Sequence, residues 1–142
     1  MTVKVKAFTE LTIQELYEIL ALRNEIFVVE QQCPYQDIDH RDQEALHVMG
    51  WEGDVLKAYL RVFRKSEEEA AIGRVLAAER RRGYASEVLR AGIAAAKEYF
   101  GMDRIYLEAQ TYAKSLYEKQ GFIRCGEEFL EDGIPHIPMR KS

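Results

Sequence analysis

The chain has 142 residues, with 24 Asp and Glu against 20 Lys and Arg and a formal net charge of −4. That balance excludes a protein held on nucleic acid by bulk electrostatics, which needs clustered cations, and 47% hydrophobic residues exclude a disordered chain. The length fits one domain over residues 1–142, able to bury about two thirds of its unfolded surface without a disulfide or metal staple.

Val3, Val5 and Ala7 alternate with Thr2, Lys4 and Lys6, the period of a half-buried strand. Thr12 followed by Glu15 reads as a capping box, and Ile13, Leu16, Leu20 and Phe27 recur near helical spacing, predicting a helix from about 13 to 28. Residues 29–45 hold Asp37, Asp39, Asp42 and Glu44 without a sustained period and read as an irregular acidic loop. Two β-prone runs, 47–51 and 55–64, flank Glu52-Gly53-Asp54, and a third, 71–78, follows the polar tip 66–69; together they predict an antiparallel meander. Residues 86–100 carry Val88, Leu89, Ile93, Ala96 and Phe100 on one helical face, with Gly101 as the stop, and 104–109 returns to strand. Strand, helix and strand in that order predict a parallel pair. A short helix over about 113–120 ends at Gly121, and final strands are expected around 122–125 and 137–140.

No apolar run approaches the roughly 20 residues that span a bilayer. Residues 1–8 lack the charged start and apolar stretch of a signal peptide, so the cytoplasm is the expected location. Cys33 and Cys125 have no metal-ligand spacing and read as two free, packed thiols.

Two segments carry chemistry. Arg80-Arg81-Arg82-Gly83-Tyr84-Ala85 lies between a strand and a helix. The first backbone N–H groups of a helix lack internal partners and stand at the positive end of its dipole, so such a turn can hold a pyrophosphate, with Gly83 allowing close approach. It lacks the Gly-Lys-Ser/Thr ending of a P-loop and the three spaced glycines of a dinucleotide site, and by itself it is a weak signal that better describes a solvated basic turn capping a helix. The second segment is Ala113-Lys114-Ser115-Leu116-Tyr117-Glu118-Lys119-Gln120-Gly121-Phe122.

An Arg-x-x-Gly-x-Ala turn opening a helix, then a strand, then Leu-Tyr-Glu-Lys-x-Gly-Phe, resembles the GNAT superfamily of N-acetyltransferases. Phe27-Val28-Val29-Glu30-Gln31, Cys33-Pro34-Tyr35-Gln36-Asp37-Ile38-Asp39, His47 before Gly50-Trp51, and Asp132-Gly133-Ile134-Pro135-His136-Ile137 extend the likeness to the ElaA-like branch over almost the whole chain. The resemblance implies an α/β (α+β) GNAT fold: a mixed central sheet of about seven strands, with splayed parallel strands 4 and 5, flanked by about four helices. It implies acetyl-CoA as co-substrate and no metal. Val75 and Leu76 match the strand that bonds the pantetheine arm, and Arg80, Arg81, Arg82, Gly83, Tyr84, Ala85 and Ser86 match the pyrophosphate turn. Gln110 and Ala113 match positions facing the cofactor. The stretch 76–79 is short and lacks the proline common there, so either Arg80 or Arg82 matches the motif's first arginine.

Amine acylation requires deprotonation: an amine of lysine-like pKa is neutral about once in 2,500 molecules at pH 7, a handicap of roughly 4.6 kcal/mol. Glu108 is a candidate general base, or else a strand glutamate facing solvent. Tyr117 matches the family's general acid, with a packing aromatic as the alternative; a phenol of pKa about 10 protonates a thiolate of pKa about 8.5 at a cost near 2 kcal/mol. Asp37, Asp39 and His47 are candidate ligands for a cationic acceptor, or else a solvated acidic loop with His47 at a strand end. His136 reads as a structural histidine of the last turn, within reach of the same cleft.

The expected acceptor is a small-molecule or protein amine, with no nucleic acid or membrane partner and a monomer or homodimer. The rival reading is a non-catalytic acyl-CoA-binding sensor or partner module. Replacing Arg80 and Arg82 together by alanine is expected to weaken acetyl-CoA binding at least about tenfold by calorimetry, from the loss of charge-assisted hydrogen bonds. Unchanged affinity would take the arginine turn out of the cofactor site.

Overall fold

The computed structural model describes residues 1–79 and 82–142. Strand β1 (Thr2–Ala7) leads into helix α1 (Ile13–Arg23) through the predicted capping box. Thr12 Oγ1 accepts from Glu15 N at 3.0 Å, and Glu15 Oε1 accepts from Thr12 N at 2.8 Å. The expected helix over 13–28 is two segments of different pitch, because Asn24–Glu30 is π-helical. There Gln31 N and Cys33 N reach back five residues, to the carbonyls of Ile26 and Val28. Its buried face also differs from the apolar stripe: Ile13 is 90% exposed, while Glu15, Ile19 and Arg23 point inward. Polar residues can occupy that face because each is neutralised, Glu15 by Lys6 of β1 at 2.9 Å and Arg23 by two aspartates.

Strands β2 (Leu46–Glu52), β3 (Val55–Arg64) and β4 (Glu69–Ala77) form the antiparallel meander. Helix α2 (Tyr84–Phe100) crosses to β5 (Arg104–Gln110), which lies parallel to β4. Then follow α3 (Lys114–Glu118), β6 (Ile123–Arg124), β7 (Phe129–Glu131) and β8 (Ile134–Lys141). The sheet order is β1-β2-β3-β4-β5-β8-β6, with β7 paired to β8. The described residues thus hold eight strands instead of about seven, and three α-helices instead of about four. The additional strand comes from a hairpin at 129–141, turned by Asp132 and Gly133 at φ 52° and 76°, the positive pair a two-residue hairpin turn needs.

The sheet is covered on both faces. Leu46, Val48, Leu60, Val62 and Ile72 pack under α2 with Val88 and Leu89. Met49, Trp51, Tyr59 and Leu76 pack under α1 with Ile19 and Phe27. Helix α2 lies close against β3 at Gly92, where a Cβ would stand 2.8 Å from Leu60 Cδ1. Both cysteines are free, but Cys125 is exposed and so not packed as expected. No helix of the described residues is long and apolar enough to cross a membrane.

The acidic loop is bound to the sheet by ions. Arg23 donates to Asp37 Oδ2 at 2.8 Å and to Asp42 Oδ1 at 2.7 Å, and Arg61 donates to Asp42 Oδ1 at 2.9 Å and Asp39 Oδ1 at 2.8 Å. Burial alone would raise the Asp42 carboxyl, but Arg23 and Arg61 outweigh it and hold it low. The Arg61 hydrogen bond holds Asp39 low as well, with burial opposing. Such depressed carboxylates stabilise the fold fully above their unfolded value, near pH 4, and lose that contribution as pH falls through the depressed folded value. Asp42→Asn is expected to cost about 3–5 kcal/mol at neutral pH by leaving buried guanidinium charge short of a partner. Its urea midpoint should fall less than the parent's as pH drops below about 4; parallel pH curves would show that Asp42 is not a linked group.

Candidate active site

The central feature is a gap in the sheet. Strands β4 and β5 pair only through Glu69–Arg104, Ala70–Ile105 and Ala71–Tyr106, after which they part. Beyond that point 72–77 keep β3 on one side and, among the described residues, have no strand partner on the other. A β-bulge in β4 accompanies the parting, since the register jumps from Tyr59–Leu76 to Arg61–Gly73 and Arg74 takes φ 53°. A cleft of about 1420 Å³ opens between the strands.

Val75 and Leu76 line the cleft on β4. At one end Gly83 caps α2 at φ 75°. The first α2 bond is Glu87 N to Gly83 O at 3.1 Å, so the N–H groups of Tyr84, Ala85 and Ser86 have no intrahelical partner. All four of these residues face the cleft. Arg82 is 65% exposed and pairs with Glu79 at 3.3 Å; Arg80 and Arg81 lie outside the described residues. Gln120 Nε2 donates to Ser86 O at 2.9 Å, fixing the residues after α3 against the first turn of α2.

The opposite wall comes from β5 and α3. Gln110, Ala113 and Tyr117 line it. Tyr117 is only 6% exposed, set edge-on to Phe122 at 6.1 Å, and burial, with Tyr112 adding to it, pushes its phenol well above the ordinary value. Gln110 exchanges amide contacts with Gln31 at 3.3 and 3.5 Å. Glu108 also lines the cleft but is exposed, and it accepts from the Tyr106 hydroxyl at 2.9 Å. Burial and that bond together push the Tyr106 phenol up.

The expected acceptor ligands are placed differently. His47 is fully buried, with Nδ1 2.6 Å from the Tyr59 hydroxyl and Nε2 2.8 Å from the Asp42 carbonyl, so neither nitrogen is open to a substrate. Burial holds it low and hence neutral. Asp37 is buried between Arg23 and Arg74, and Asp39 reaches the cleft with its carboxylate on Arg61 and Arg74. Three arginines match three aspartates here, which leaves no net negative charge for an ammonium.

The hairpin adds residues with no motif-assigned role, among them His136, which was expected to be structural and within reach of the cleft. Glu131, Asp132, Ile134 and His136 line the cleft, and Cys33 Sγ donates to the Asp132 carbonyl at 3.3 Å, tying the hairpin to the loop after α1. The Asp132-Gly133 pair was the signal available for finding them. Among the described residues no three of His, Cys, Asp and Glu converge as metal ligands.

A parallel strand pair that splays beside a helix N-terminus, with a buried tyrosine on the far wall, defines the class of the GNAT acetyltransferases. The family model for an acetyltransferase (GNAT) domain matches residues 9–142, and the chain belongs to that family. It is similar to protein ElaA of Escherichia coli K12, 38% identical over 140 residues covering 94% of this chain and 92% of that protein. The crystal structure of E. coli ElaA superposes with a TM-score of 0.92 at 36% identity over the whole of both chains. That of an acyl-CoA N-acyltransferase from Pseudomonas aeruginosa gives 0.92 at 38%, also over the whole of both.

Gly73 lies on the cleft wall, with nothing within 4 Å of where a Cβ would stand. Gly73→Leu is expected to leave the thermal midpoint nearly unchanged, within about 0.5 kcal/mol of stability, while its side chain blocks the cleft and weakens acetyl-CoA binding in a calorimetric titration. A destabilised protein with intact binding would place residue 73 outside the ligand path.

Proposed function

We propose that the protein transfers an acetyl group from acetyl-CoA to a primary amine by direct attack, with Tyr117 supplying the proton taken up by the departing thiolate. The observation that carries this reading is the three-pair limit of the β4–β5 ladder, which leaves β4 backbone groups unpaired along a cleft that begins at the α2 N-terminus and passes Tyr117. Unpaired strand backbone is suited to the amides of a pantetheine arm, and free helical N–H groups to a pyrophosphate. Acetyl-CoA, when bound, supplies an activated acyl carbon and a thiolate leaving group.

The chain's own groups then have distinct tasks. Residues 84–86 orient the diphosphate end, Gln110 offers donor and acceptor to an amide, and the buried wall around Tyr117 excludes water. A phenol raised by burial is a weaker acid, but the same low-dielectric wall raises a thiolate lodged beside it, so the difference between the two is what matters. Glu108, occupied by the Tyr106 hydroxyl, acts as a negative neighbour attracting an ammonium.

Tyr117→Phe is expected to lower turnover about 100-fold while the acetyl-CoA dissociation constant changes less than about threefold, measured by thiol release and calorimetry. Lost affinity with unchanged turnover per bound cofactor would make Tyr117 a binding contact instead.

A further inference from the structure

We propose that His136 is the general base that deprotonates the acceptor amine, a role that rests on the acetyl-transfer reading above. Nδ1 of His136 lies 2.7 Å from the Ile134 carbonyl. A carbonyl oxygen only accepts, so Nδ1 holds the proton and the neutral ring presents the Nε2 lone pair. The ring is stacked on Phe129, centroids 5.8 Å apart and planes 25° from parallel. It is 9% exposed, and the residue lines the cleft.

Its direction follows from register. In β8, Ile137 and Met139 enter the core under α2, so His136 points to the opposite face of the sheet. Gln110 is directly across in the β5–β8 ladder, and Glu108 is the next β5 residue on that face. Glu131 Oε2 is 3.8 Å from Nε2, too far for a hydrogen bond. Titratable groups that line the cleft with it include Glu131 and Asp132 of the hairpin, Glu108 and Tyr106 of β5, Tyr112 and Tyr117 after β5, Arg74 of β4, and Glu30 and Cys33 beyond α1.

The other candidates are less well placed. His47 has both nitrogens engaged, and the Glu108 carboxylate is exposed to water and already accepts a hydroxyl proton.

The proton balance closes. The ammonium gives one N–H proton to Nε2, and the freed lone pair forms the C–N bond as the C–S bond breaks. The second N–H proton, released as the amide forms, replaces the one Tyr117 delivers to the thiolate. The imidazolium returns its proton to solvent, so one proton is released per amide formed.

The test is His136→Gln, which keeps a polar side chain but carries no base. With acetyl-CoA as donor, transfer to an alkylamine of lysine-like basicity at neutral pH should fall about 100-fold. Transfer to hydroxylamine, which is already neutral there, should fall less than about threefold. Across neutral to alkaline pH the parent's kcat/KM should level off, whereas the variant's should keep rising in proportion to free amine. Equal losses on both nucleophiles, or no loss on the alkylamine, would overturn the assignment. Calorimetry separates the two readings: acetyl-CoA binding is expected in both proteins, and its absence from the parent would remove the transfer reading and this one with it. Nitrogen-15 NMR of the parent tests the geometry without an acceptor, since an Nε2-protonated neutral ring at His136 would exclude a lone pair facing the cleft.

Discussion

The parting of β4 from β5 is the constraint on which the rest of the molecule turns. Parallel strands that stayed paired to their ends would close the sheet, and neither unpaired β4 backbone nor a cleft would exist. The bulge at Gly73–Arg74 accompanies the change in β4 and carries a non-glycine residue into left-handed backbone, at a cost of about 1–2 kcal/mol. That conformation is held by Arg74 itself, whose guanidinium donates to the Asp37 carboxylate at 2.8 Å and to the Asp37 carbonyl at 3.1 Å. The irregular point of the sheet and the irregular loop after α1 therefore fix each other.

This gives the acidic loop a structural meaning. Its aspartates are distributed over Arg23, Arg61 and Arg74 in a compact neutral network, with His47 buried beneath as a neutral bridge between Tyr59 and the loop backbone. Buried ion pairs contribute little net stability compared with apolar packing, but removing one member is costly because the other is left unpaired. The network's value here is geometric, since it holds the loop and the bulge in one arrangement beside the cleft.

In the proposed reaction, proton handling falls to two aromatic residues held from different directions. Tyr117 is placed by α3, with Phe122 against its edge and Gln120 anchored to the start of α2. His136 is placed by a hairpin whose tip is tied by Cys33. Both line one cleft, yet they belong to separate local units, so the proposed acid and base are positioned independently of each other.

Much of the plan was legible from local pattern. The capping box, the meander, the α2 helix with its Gly101 stop and the crossover to a parallel strand follow from periodicity and turn chemistry, which operate over a few residues. The Gly83 turn and Tyr117 were recognisable because contiguous motifs carry them. The eighth strand was also written locally, in Asp132-Gly133, and it puts His136, expected in a turn within reach of the cleft, on a strand that lines it. By itself the sequence thus determined the order of most elements, the fold class and the contiguous segments proposed to bind the cofactor. Only the tertiary structure decided which charges are spent on one another, where β4 leaves β5, and which side chains share a face of the cleft. Those outcomes depend on partners such as Asp37 and Arg74, 37 residues apart, and on cross-strand register, neither of which any local period encodes.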